Sequence, residues 1–97
     1  MYGTIARLHP SPGREEDLIA YGKRIREIEV PGYRASYVFR PDANPYDRPT
    51  LFLVALVDDR ASYEANADSP DQNERYLELR ALLDDDPEWI DGTFEGT

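Results

Sequence analysis

Apolar and polar positions divide the chain into seven stretches. Tyr2-Gly-Thr-Ile-Ala-Arg-Leu-His9 reads as a strand and stops at Pro10. After the turn Pro10-Ser-Pro-Gly13, the acids Glu15, Glu16 and Asp17 suit the positive end of a helix. Leu18, Tyr21, Ile25 and Ile28 then recur at spacings of three and four, one apolar stripe on a helix that ends before Pro31-Gly32. Tyr33 to Arg40 alternates, with Tyr33, Ala35, Tyr37 and Phe39 on one face and Val38 out of step, the pattern of a half-exposed strand near a sheet edge. Residues 41–49 hold three prolines and form a stiff connection. Leu51 to Val57 is apolar without interruption, the signature of a strand covered on both faces.

Asp58-Asp59 opens a helical stretch containing Tyr63. Ser69-Pro-Asp-Gln72 has the form of a capping box: Ser69 as N-cap, Pro70 at the first helical position, Gln72 reaching back. The next helix presents Tyr76, Leu79 and Leu83 on one face, with Leu82 beside them. It should end near the acids at 84–86, which would oppose the helix dipole inside its last turn. Glu88 to Glu95 is a final short strand. The order strand, helix, strand, strand, helix pair, strand predicts one α+β domain of the ferredoxin-like βαββαβ type with a four-stranded antiparallel sheet, spanning residues 1–97. Helices cover one face of such a sheet. The second face of residues 51–57 then needs another cover, and a second copy of the chain supplies one, so a homodimer is expected.

Composition narrows the function classes. With 97 residues there is room for one core, and the 40% hydrophobic, 11% aromatic content belongs to a folded protein. No cysteine is present, which removes disulfides, thiolate catalysis and zinc–thiolate sites. No apolar run approaches membrane-spanning length and no leader pattern opens the sequence, so a cytoplasmic protein without membrane association is expected. The net charge is −9, with residues 1–40 at +2 and residues 41–97 at −11. That acidity disfavours nucleic acid. Asp84, Asp85, Asp86 and Glu88 lack the spacing of a calcium loop and read as a solvated run, so no metal is expected.

The order of the short motifs resembles the antibiotic biosynthesis monooxygenase-like family of the dimeric α+β barrel superfamily. The motifs are Pro12-Gly-Arg-Glu-Glu-Asp-Leu18 before the first helix, Pro31-Gly-Tyr33 before the second strand, and Asp59-Arg-Ala-Ser-Tyr-Glu-Ala-Asn66 with Ser69-Pro70 after the third. The resemblance implies two sheets packed face to face in a dimer, with a ligand pocket between sheet and helices of each subunit. The family's haem-degrading branch uses Asn, Trp and His at positions that here hold Ala6, Val57 and Asn66. Haem is therefore not expected, nor is any other cofactor. The cofactor-independent oxygenases of the family place Tyr, Trp, Asn or Arg around a phenolic substrate, which implies catalytic roles for Tyr63 and Asn66; Arg7, Tyr76 and Trp89 are the further candidates for substrate binding.

Each candidate has a structural alternative. Tyr63 could deprotonate a phenol, or pack its ring on the sheet and wet its hydroxyl. Asn66 could orient a substrate oxygen or sit exposed mid-helix. Arg7 could bind an anion or pair with a carboxylate of the acidic half. Tyr76, Trp89 and the row Tyr33, Tyr37, Phe39 could be core or dimer contacts. His9, the one histidine, could be a base or a surface residue at a strand end. Two functions follow: a cofactor-independent monooxygenase-like enzyme acting on a small aromatic or quinol-like molecule, or a non-catalytic homodimeric protein that binds a small ligand.

Overall fold

The computed structural model describes residues 1–27 and 31–96. Ile28, the last member of the first helix's apolar stripe, lies outside them. The elements run β1 (Tyr2–Leu8), α1 (Glu15–Arg26), β2 (Tyr33–Phe39), β3 (Leu51–Val57), α2 (Arg60–Ala67), α3 (Pro70–Arg80) and β4 (Glu88–Thr93). The strands form one antiparallel sheet in the order β2-β3-β1-β4, a ferredoxin-like α+β fold with β2 on an edge. Among the described residues, no helix is long and apolar enough to cross a membrane.

Register gives each face of the sheet its chemistry, because directly paired residues share a face. On the helix-covered face, Val38, Leu53, Ala6 and Trp89 form one row across all four strands, and Ser36, Ala55, Thr4 and Asp91 form the next. Ala6 and Leu8 are fully buried here, packed with Leu18 and Tyr21 of α1, Leu79 of α3, and Leu82 and Leu83. Gly22 lets α1 approach β2 closely, since a methyl group there would come 2.5 Å from Val38 Cγ2. On the other face, Tyr37, Val54, Ile5 and Ile90 form an apolar row with no helix over it. Tyr37 and Ile90 are 53% and 58% exposed in the single chain.

Three local expectations need correction. Tyr33 does not share a face with Ala35, Tyr37 and Phe39. A β-bulge after Tyr33 pairs it with Val57 while Ala35 pairs with Leu56, so one extra residue turns Tyr33 towards the helices. Val38, in regular register with Leu53, faces the helices by ordinary alternation and packs against the core. Ser69 does cap α3, accepting from the Gln72 amide at 3.1 Å, but the Gln72 side chain turns away to Asn66 and Arg75. Leu83 lies beyond the end of α3, where it forms a bridge with Pro10 and is buried. The acids at 85, 86 and 88 pair with Arg48, Arg80 and Arg7 respectively.

Candidate functional site

Small residues hollow out the covered face. Ser36, Ala55 and Thr4 leave the middle row of the sheet low, while Tyr21, Tyr33, Tyr63, Tyr76 and Trp89 stand around it. The result is a cavity of about 410 Å³ between the sheet and all three helices. Its floor is Thr4, Leu53, Ala55 and Val57. Tyr21 and Ile25 of α1, Tyr63, Asn66 and Ala67 of α2, and Gln72, Asn73, Tyr76 and Leu79 of α3 cover it. Trp89 and Asp91 of β4 close one side. An aromatic wall with a few placed polar groups is the usual make-up of a small-molecule site.

Two polar assemblies face this space. In the first, the Tyr63 hydroxyl donates to Asp91 Oδ1 at 2.9 Å. The Tyr63 ring is held edge-on against Tyr2, centroids 5.5 Å apart. Asp59 fixes the helix beneath it by accepting from the Ser62 amide at the N-cap. Burial and the neighbouring Asp91 carboxylate push the Tyr63 hydroxyl up to about 12, so at neutral pH it holds its proton and acts as a donor. In the second assembly, Asn66 Nδ2 donates to Gln72 Oε1 at 3.2 Å. Arg75 clamps both amides from behind, through Nε to Gln72 Oε1 at 3.1 Å and Nη2 to Asn66 Oδ1 at 3.2 Å. Tyr21 donates to the Arg75 carbonyl at 2.9 Å, and burial raises its hydroxyl to about 12.

Of the five residues singled out in the sequence, Tyr63, Asn66, Tyr76 and Trp89 line this one cavity. Tyr63 and Asn66 meet there because three residues on a helix bring side chains to one face. Trp89 is 39% exposed and forms a cavity wall, not core. Arg7 lies on the opposite face of the sheet, where it pairs with Glu88 and stacks over the Tyr46 ring. His9 lies at the end of β1 beside Thr50, outside the cavity. Sequence reasoning missed Asp91, Gln72 and Arg75. Gln72 was visible as a cap residue, whereas Asp91 gave no local signal and gains its place only through the pairing of β4 with β1.

No protein-family model matches the chain, and no curated protein matches it. Solved structures do. A candidate antibiotic biosynthesis monooxygenase from Deinococcus radiodurans superposes with a TM-score of 0.79 at 12% identity, over 100% of this chain and 95% of that one. A variant of SnoaB, a cofactor-independent oxygenase from Streptomyces nogalater, superposes at 0.72 with 19% identity, over 99% and 94%. A conserved protein from Methanosarcina mazei Go1 superposes at 0.78 with 18% identity, over 97% and 92%. The structural neighbours are mostly antibiotic biosynthesis monooxygenase-like proteins, and they support the resemblance carried by the sequence motifs.

Proposed function

We propose that this chain, with the fold of the antibiotic biosynthesis monooxygenase-like proteins, is a homodimeric, cofactor-independent oxygenase of small hydroxylated aromatic molecules such as hydroquinones or anthrones. The observation that carries the reading is the Tyr63–Asp91 pair set into an aromatic cavity. An electron-rich phenol needs little from a protein to react with oxygen. It must lose a proton, keep the resulting anion in place and meet O₂ away from water. For an anthrone, the ring CH₂ becomes C=O, and the second oxygen atom leaves as water with the two hydrogens of that methylene.

In this reading the base is Asp91 and not Tyr63, whose hydroxyl already carries its proton at neutral pH. The Tyr63 hydroxyl gives its hydrogen bond to Asp91 in the resting site. As the proton moves, that hydrogen bond can follow the charge to the substrate oxygen, which is where stabilisation counts. Asn66 and Gln72, fixed by Arg75, orient a second substrate oxygen, and Tyr76 and Trp89 sandwich the ring.

Oxygen uptake with a panel of hydroquinones and anthrones, using protein free of metal and flavin, tests the proposal. Uptake that saturates with substrate and is lost in Asp91→Asn is the expected result. Ligand-induced melting shifts without any uptake would overturn the enzyme and leave a protein that only binds a small ligand.

A further inference from the structure

Resting on the reading of this cavity as an aromatic site, we infer that Asp91 makes it charge-selective: it admits neutral or cationic hydroxyarenes and rejects carboxylated ones. Among the described residues lining the cavity, Asp91 carries the one formal charge. The Arg75 guanidinium, which holds two lining residues, turns its fork to the amide oxygens of Asn66 and Gln72. A carboxylate ligand is best held by such a fork presented directly to it.

Three donors of the lining are already engaged, while the buried hydroxyl of Tyr33, also in the lining, has no partner. The Tyr63 hydroxyl is committed to Asp91, the Tyr21 hydroxyl to the Arg75 carbonyl, and Asn66 Nδ2 to Gln72. An entering anion would meet the like charge of Asp91 and, among the described lining residues, no cation. A ligand hydroxyl meets the reverse situation, because a carboxylate that takes one hydrogen bond on Oδ1 has capacity for more. The arrangement suits a molecule that brings its own O–H groups and leaves its charge, if any, positive.

The chain's single tryptophan, Trp89, lines the cavity, so quenching of its fluorescence reports binding at this site directly. The probes are 1,4-dihydroxy-2-naphthamide and 1,4-dihydroxy-2-naphthoate, nearly equal in shape and different in charge, titrated under argon to prevent turnover. The amide should bind about tenfold more tightly, the size of a like-charge repulsion partly screened by solvent. In Asp91→Asn the Tyr63 hydrogen bond retains an acceptor and the preference should fall to about twofold or less. This variant removes one of nine net negative charges, so an effect of the acidic surface as a whole would persist in it. A third probe, the 2-aminomethyl analogue, reads the same rule in the unmodified protein and should bind at least as tightly as the amide. Equal affinity for amide and carboxylate overturns the selectivity while leaving the aromatic site intact. A preference that survives Asp91→Asn overturns Asp91 as its source, and failure of all three probes to quench Trp89 overturns the aromatic site together with the inference.

Discussion

Tyr63 shows how environment decides the role of a side chain. A free tyrosine already keeps its proton at neutral pH; burial and the Asp91 carboxylate raise this one to about 12, and the hydrogen bond aims its hydroxyl at Oδ1 as a donor. Tyr63→Phe retains the ring contact with Tyr2 and removes only the hydroxyl. Stability should fall by roughly 0.5–1.5 kcal/mol, measured by urea unfolding. Oxygen uptake should fall roughly 10²–10³-fold, the usual cost of losing one hydrogen-bond donor to developing charge. An unchanged rate would remove the hydroxyl from the mechanism. The same pKa shifts set an alkaline limit. Tyr21 and Tyr63 ionise near 12 when folded and near 10 when unfolded, so the stability they contribute is complete below pH 10 and is lost as pH rises through 12. Urea midpoints should drop between about pH 10 and about pH 12. In the Tyr21→Phe, Tyr63→Phe double variant, much of that slope should disappear.

At the scale of elements, the cavity depends on how α2 and α3 are anchored. Ser69 caps α3 through the Gln72 amide and also donates to the Asn66 carbonyl, joining the two helices that carry Asn66 and Gln72. Ser69→Ala should cost about 1 kcal/mol in thermal or urea unfolding. The start of α2 is fixed from the turn before β2. Gly32 has φ +80° and accepts from the Asp58 amide at 2.8 Å, and a Cβ on it would meet Ser62 Oγ at 2.5 Å. Gly32→Ala should cost at least the roughly 1–2 kcal/mol of a left-handed non-glycine residue, with weaker ligand affinity because α2 must shift. These anchors were legible in the sequence as Ser69-Pro70, Asp59 and Pro31-Gly32, since caps and turns are local chemistry. What was not legible is non-local. The bulge that turns Tyr33 inward needs the partner strand to be seen, and Asp91 reaches Tyr63 only after β4 has paired with β1. A side chain on a two-residue period shows which face it takes only once its register is known.

On the scale of the whole molecule, the uncovered face of the sheet sets the remaining question. Tyr37, Val54, Ile5 and Ile90 run straight across all four strands, flanked by Phe39 and Phe52, whose rings pack edge to face 6.0 Å apart. Phe39 is 58% exposed, and each of these side chains is at least partly open to solvent in one chain. Soluble monomers rarely carry so continuous an apolar surface, and an 11.1 kDa chain buries comparatively little area by itself. A second copy packed face to face would cover the row with an identical one, and at its border the Arg7–Glu88 pair would be drawn from water along with it. Sedimentation equilibrium should therefore return twice the chain mass. Val54 is the residue to change, because it lies on a central strand between Tyr37 and Ile5, on the face away from the cavity, and is not among the lining residues. Val54→Asp places a carboxylate against its own symmetry-related face, where desolvating like charges costs several kcal/mol. The expected product is a monomer of lowered stability or an aggregate. A wild-type protein that sediments as a stable monomer would overturn the dimer, and the exposed row would then need a different partner.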